Sequence, residues 1–112
     1  MRILVIEPLK EPYAKEIDGS LTSMQSVVGG SIQAIYPFEE CVALICHEEG
    51  KLIGLPPNRA LFDDNGQIYD IISGTFFLCS APPCSESFEG LNDEQINTYF
   101  KRFEAIELYL GR

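Results

Sequence analysis

The chain has no tryptophan, a single histidine and few basic residues. Eight lysines and arginines stand against seventeen aspartates and glutamates, which gives a net charge of −9 over 112 residues. A surface of that sign repels phosphate backbones and anionic lipids, so direct binding to nucleic acid or to a membrane surface is disfavoured. The acidic residues are spread from Glu7 to Glu107 instead of forming a tail, as is typical of a solvated surface.

Long apolar runs are also missing. The run after Arg2 ends at Glu7, too early for the core of a signal peptide, and no run approaches the ~20 residues of a membrane helix. We therefore expect a cytoplasmic protein without membrane association, whose four cysteines are thiols. Because neither a repeat nor a low-complexity linker occurs, residues 1–112 are predicted to form one domain.

Hydrophobic patterns predict an α+β domain with a mostly antiparallel sheet of five to six strands. The strands are expected at residues 2–7, 13–18, 31–36, 42–47, 51–55, and 67–72 with 75–79, the last two being one strand or two halves bent at Gly74. A short helix capped by Ser20 and ended by Gly29 follows the first hairpin. A C-terminal amphipathic helix begins at Asn92 and extends to Leu110. A β-grasp-like fold is the alternative.

Three segments resemble a known family. They are DGSLTSMQSVVGGSIQAI from Asp18, EEGKLIGLPPNRAL from Glu48 and IYDIISGTFFL from Ile68. Together they make residues 1–78 similar to the domain of unknown function 3846 family. The resemblance implies a bacterial, phage or mobile-element context, and it implies no particular activity.

The cysteines and the histidine give little sign of a reactive site. Side chains alternate along a strand, so Cys41 and Cys46 cannot share a metal, and His47 cannot activate its neighbour Cys46. Only Cys79 and Cys84 have a spacing that suits zinc, and with His47 they form the alternative metal site. We expect plain thiols and no cofactor.

The least regular stretch is GLPPNRALFDDNG, residues 54–66. Its residues are explained by a connector in which Asn58 caps a short turn over residues 59–61 and a tight turn ends at Gly66. Arg59 is expected to form an internal salt bridge, and binding of an anionic group is the alternative. If a ligand site exists, its candidate residues are Asn58, Arg59, Asp64, Asn65, Asp70, Tyr36 and His47.

These observations favour a non-enzymatic binding or interaction module whose partner is a protein or a small ligand. One alternative is a counter-defence or regulatory inhibitor from a mobile element that uses its negative surface against a basic protein. A second alternative is a small hydrolase or metal protein built on His47 and the cysteines. Because the C-terminal helix can fold back on the sheet or exchange between copies, a monomer and a homodimer are both compatible with the sequence.

Overall fold

The computed structural model of the chain describes residues 1–107, and in that range the α+β class is confirmed. A five-stranded antiparallel sheet has the order β2-β1-β7-β4-β3, and β5 and β6 form a separate two-stranded sheet. The elements are β1 (Arg2–Ile6), β2 (Tyr13–Glu16), α1 (Leu21–Val28), β3 (Ile32–Ile35), β4 (Val42–His47), β5 (Pro57–Phe62), β6 (Ile68–Ser73), β7 (Phe76–Ser80) and α2 (Asp93–Phe103). The helix α1 has eight residues, which is short for the β-grasp-like alternative.

The large sheet is the middle layer of three. Its inner strands β1, β7 and β4 are covered on both faces, which explains their continuous apolar sequences. The side chains that pack with α1 are Ile3, Val5, Ala43, Ile45, Phe77 and Cys79. The side chains that pack with the β5–β6 hairpin and α2 are Leu4, Ile6, Leu44, Cys46, Phe76 and Leu78.

Both helices begin as the sequence predicts. The hydroxyl oxygen of Ser20 accepts the N–H of Ser23 at 3.1 Å, and α1 ends at Gly29, whose φ of 85° lies in the left-handed region. The start of α2 is a capping box, in which Asn92 and Gln95 exchange side-chain and backbone hydrogen bonds. The helix ends at Phe103. The predicted continuation to Leu110 lies outside the described residues.

The predictions for residues 51–61 are wrong. Residues 51–54 form turns, closed by hydrogen bonds such as Leu55 N–H to the Gly50 carbonyl at 2.9 Å, and residues 59–61 belong to strand β5. Gly50 lies so close to the Ser73 carbonyl oxygen that an added Cβ would come within 2.8 Å of it. The chain therefore turns tightly against β6 here, and the strand begins only at the two prolines.

Gly74 separates two strands that belong to different sheets. Its φ is 84°, a conformation that L side chains rarely adopt, and its N–H donates to the Pro56 carbonyl at 2.7 Å. The chain thereby leaves β6 in the hairpin and enters β7 in the large sheet. The prediction of one bent strand is thus wrong, although the glycine does mark the break.

A buried hydrogen-bond network joins the hairpin to the rest of the protein. Asn58, which has no partner residue in the β5–β6 register and so forms a β-bulge, donates through Nδ2 to the carbonyls of Ile6 at 2.8 Å and Gly74 at 2.9 Å. Its Oδ1 accepts from Arg59 Nη1 at 2.8 Å. Arg59 also donates to the carbonyls of Phe103 at 3.0 Å and Lys10 at 2.7 Å. One strand segment thus holds β1, β7, α2 and the loop after β1.

A second polar contact involves Tyr99, which lies one turn before the end of α2. The ring of Tyr99 is buried against Phe38, with 4.8 Å between the ring centroids, and its hydroxyl donates to the carboxylate of Glu40. Burial, followed by the hydrogen bond to Glu40, raises the pKa of Tyr99 above its ordinary value. The folded protein therefore retains this proton more strongly than the unfolded chain does.

Replacement of Asn58 by alanine is expected to destabilise the protein by about 3 kcal/mol or more, because two carbonyls and one guanidinium N–H lose a buried partner. The control is Asn65→Ala, an exposed position in the β5–β6 turn, where a change within about 0.5 kcal/mol is expected. Urea unfolding of the two variants measures the difference. If Asn58→Ala lowered the free energy of unfolding as little as Asn65→Ala does, the structural role of Asn58 would be contradicted.

Stability is expected to fall as the pH rises above 10, the ordinary pKa of tyrosine. Because the folded-state pKa of Tyr99 is raised, its contribution is complete below that pH and is lost as the pH passes towards the folded value. Tyr99→Phe should cost about 1 kcal/mol at neutral pH and flatten the alkaline decline in urea-unfolding experiments. Tyr13, whose pKa the hydrogen bond to Glu7 raises to about 12, is 41% exposed, so Tyr13→Phe should flatten the decline less. An equal slope in wild type and Tyr99→Phe would contradict this assignment.

Candidate functional site

The four candidates from residues 54–66 lie in two different environments. Asn58 and Arg59 have no exposed surface, and the network described above uses their polar atoms. Asp64 and Asn65 are exposed in the turn between β5 and β6. In that turn the carboxylate of Asp63 accepts the N–H groups of Asn65 and Gln67, both at 2.9 Å. The expected salt bridge of Arg59 stays a prediction.

Asp70 and His47 border the same cleft, which has a volume of about 170 Å³ and lies between β6 and the β3–β4 pair. On its wall, Lys51 Nζ contacts the carboxylate of Asp70. The imidazole of His47 is engaged with its own turn, because Nδ1 accepts the Glu49 N–H at 3.0 Å. Its ring also lies against Gly30, where an added Cβ would come within 2.4 Å of Nε2.

Tyr36, the last predicted site residue, lies elsewhere. Its side chain is 61% exposed and borders a hollow of about 470 Å³ together with Met24 and Phe88. This hollow adjoins α1, whereas the cleft adjoins the hairpin on the other side of the sheet. The seven predicted residues are therefore divided among four places: Asn58 and Arg59 share the buried network, Asp64 and Asn65 share the turn, Asp70 and His47 share the cleft, and Tyr36 borders the hollow beside α1.

The cysteines are dispersed. Cys79 is fully buried in the layer beneath α1, Cys46 is buried beside the cleft, and Cys41 and Cys84 are exposed. Burial raises the pKa of Cys79 to about 12, and burial followed by the charge of Asp70 raises the pKa of Cys46. Both buried thiols are therefore held in the protonated form, which is a poor nucleophile. Within residues 1–107, no three His, Cys, Asp or Glu side chains lie where they could share a metal ion.

An exposed apolar surface beside the cleft consists of Leu52 in the turn before the hairpin and of Pro57, Ile68, Tyr69 and the half-buried Ile71 in the hairpin, and is here called the hairpin patch. Leu52 is 85% exposed, and Ile68 and Tyr69 are 54% and 55% exposed. A shallow, mainly apolar hollow of about 500 Å³ runs along β6 in this patch. Leu52 lines the adjoining cleft with Asp70, so the patch and the cleft are continuous.

Pairing within the hairpin explains this exposure. The register passes from Leu61 opposite Asp70 to Phe62 opposite Ile68, so Tyr69 has no partner residue and forms a second β-bulge. Only the inner face of the hairpin packs on the large sheet. The sequence does not predict the patch, because the segment around Tyr69 looks like an ordinary strand and carries no polar pattern that indicates a site.

The outer edge of β6 has no strand beside it in residues 1–107. The N–H of Ala60 points out of the hairpin, since it donates to Glu107 Oε1 at 3.0 Å. Ala60 is opposite Ile71, and the backbone groups of such an antiparallel pair both point outwards. In agreement, the N–H of Ile71 donates to Asp70 Oδ1 at 2.8 Å and not to β5. The Asp70 carboxylate therefore satisfies the outward-facing N–H of Ile71 at the unpaired edge of β6.

Carboxylates stand at both ends of β6. Asp63 and Asp64 precede the strand in the hairpin turn, where they also border an acidic groove of about 510 Å³. Glu48 and Glu49 border the cleft beside Ser73, the last residue of β6. The apolar edge therefore lies between two negative clusters, and a positively charged binding partner would be attracted to both.

Comparison with known proteins gives a match to a protein family. The family model described as domain of unknown function (DUF3846) matches residues 1–104, which include both sheets and both helices and extend beyond the segments that carried the resemblance. No curated protein and no solved structure is similar enough to count as a match. No helix in the described part of the chain is long and apolar enough to cross a membrane. On the family match, the chain belongs to the DUF3846 family.

Proposed function

We propose that this protein is a non-enzymatic interaction module that binds another protein through the hairpin patch. The observation that carries the proposal is the exposed apolar surface of Leu52, Ile68 and Tyr69 beside a strand edge that no other described strand covers. Contiguous apolar surface next to polar residues is typical of protein interfaces, since its burial releases ordered water and stabilises the complex. Tyrosine is also a frequent centre of binding energy at interfaces.

The charge of the protein indicates the kind of partner. The net charge is −9, and the patch is flanked by Asp63, Asp64, Glu48 and Glu49, so a basic protein is attracted and a second copy is repelled. An inhibitor of a basic protein, in the phage or mobile-element context that the family resemblance implies, is one specific form of this function. We place the interaction in the cytoplasm, where the four cysteines remain thiols.

Hydrolysis has weaker support from the geometry. A cysteine nucleophile needs a lowered pKa or an adjacent base, and the pKa values of both buried thiols are raised. The Nδ1 atom of His47 is occupied by a backbone N–H of its own turn. An interaction function needs none of these groups and uses the surface that the fold leaves exposed.

Selection of peptides from a random display library tests the proposal. Peptides recovered on the wild-type protein in reducing buffer are expected to carry lysine or arginine and to bind Tyr69→Ser and Ile68→Ser at least about tenfold more weakly, as loss of a central interface side chain commonly does. Affinities are measured by fluorescence anisotropy of the labelled peptides.

The matched control is Leu21→Ser. Leu21 is 56% exposed, close to the 54% of Ile68, but it begins α1 on the opposite side of the sheet, so its replacement should leave peptide affinity unchanged. Loss of binding in Tyr36→Ser with none in Tyr69→Ser would assign recognition to the hollow beside α1 and contradict the proposal. Failure to recover any peptide that depends on Tyr69 would also contradict it.

A further inference from the structure

We propose that the partner binds as an extended basic segment that adds a strand to the free edge of β6, and that its backbone displaces the carboxylate of Asp70 from the N–H of Ile71. This inference rests on the proposed function, because it specifies how the hairpin patch is occupied. Addition of an extended peptide to an open sheet edge is a recurring mode of recognition, in which backbone hydrogen bonds supply affinity and side-chain pockets supply specificity.

Comparison of the sheet edges singles out β6. The outer edge of β5 is engaged, since Ala60 N–H binds the side chain of Glu107. The edge strand β2 has the sequence YAKE, and charged residues of this kind discourage pairing with another strand. The large apolar side chains of the other edge strand, β3, are half-buried. Among the described edges, that of β6 carries two exposed large apolar side chains, Ile68 and Tyr69.

The edge is closed by a bond that another acceptor can replace. The Asp70 carboxylate accepts the Ile71 N–H and also contacts Lys51, whose side chain is 62% exposed. A partner carbonyl placed opposite Ile71 would accept the same N–H, and the freed carboxylate would then pair with a basic side chain of the partner. The cleft and the shallow hollow share Lys51, Asp70 and Ser73, so space is open on both sides of this contact.

The flanking charges define the segment. The open part of β6, from Ile68 to Ile71, spans about 13 Å at ~3.3 Å per residue, because the carbonyl of Ser73 at the end of the strand lies against Gly50. A carboxylate pair stands at each end of the strand. A complementary segment has β-branched apolar residues in its centre, over Ile68 and Tyr69, and lysine or arginine at both ends. A second copy of this chain lacks that complementarity, since its own β6 is flanked by the same acidic residues.

The probe for the test is the synthetic peptide acetyl-Lys-Arg-Val-Thr-Val-Thr-Val-Arg-Lys-amide, with affinity measured by calorimetry. In Ile71→Pro only an outward-facing N–H is removed, so the β5–β6 ladder remains intact and the edge loses its donor. We expect this variant to bind the probe at least about tenfold more weakly than wild type. The conservative variant Ile71→Val retains the N–H and should lose much less affinity for the probe.

Two measurements do not depend on the folding of the proline variant. Hydrogen exchange of the Ile71 amide in the wild-type protein should slow when the probe binds. Binding should weaken as salt is added, whereas a peptide with serine in place of every lysine and arginine should bind more weakly with little salt dependence. For that uncharged peptide, Asp70→Ala should increase affinity several-fold, because the competing acceptor is gone.

The outcomes separate this inference from the proposed function. If Tyr69→Ser weakens binding of the probe while Ile71→Pro and the exchange of the Ile71 amide show no effect, strand addition is wrong and the interaction surface stands. If none of these variants affects binding, both proposals fail. Protection of the Ile71 amide in a dimer without peptide, detected by sedimentation, would assign the edge to a second copy and overturn the basic segment.

Discussion

The side chain of Asn58 is the contact on which the position of the hairpin depends. Burial of an amide group is costly unless its donors and acceptor form hydrogen bonds. Here two backbone carbonyls accept from Asn58 Nδ2, and the guanidinium of Arg59 donates to Asn58 Oδ1. No described buried side-chain nitrogen or oxygen is left without a partner. Because the bonds of Asn58 reach β1 and the turn into β7, they fix which face of the hairpin lies on the sheet and which faces solvent.

The hairpin is therefore attached asymmetrically. Buried polar groups and the side chain of Glu107 hold β5, whereas β6 contacts the rest of the protein through Ile72 on its inner face, through Lys51 at Asp70 and through Gly50 at Ser73. Two β-bulges serve these opposite requirements, since Asn58 is directed into the protein and Tyr69 lies exposed. The pairing of β5 with β6 thus produces both the buried Asn58 contacts that hold the hairpin and the candidate interaction surface.

Local signals in the sequence predict much of this fold. The caps Ser20 and Asn92 and the doubly apolar strands are governed by nearest neighbours and burial, so they were predicted correctly. Residues 56–61 were predicted as a connector because two prolines, an asparagine and an arginine resemble a solvated loop, although Asn58 and Arg59 are fully buried in strand β5. Their partners lie up to 52 residues away, and no local pattern contains that information. For the same reason, polarity directed the site prediction to buried residues and away from Tyr69.

An acidic protein with an apolar strand edge must avoid pairing with itself. Net charge opposes the approach of a second copy at long range, and Asp70 acts at contact distance by satisfying the outward N–H of Ile71. Neither effect opposes a basic strand. The net charge attracts such a strand, and its basic side chains can pair with the Asp70 carboxylate that it displaces. In the proposed mode of binding, the features that oppose pairing with a second copy are therefore the same features that favour a basic partner.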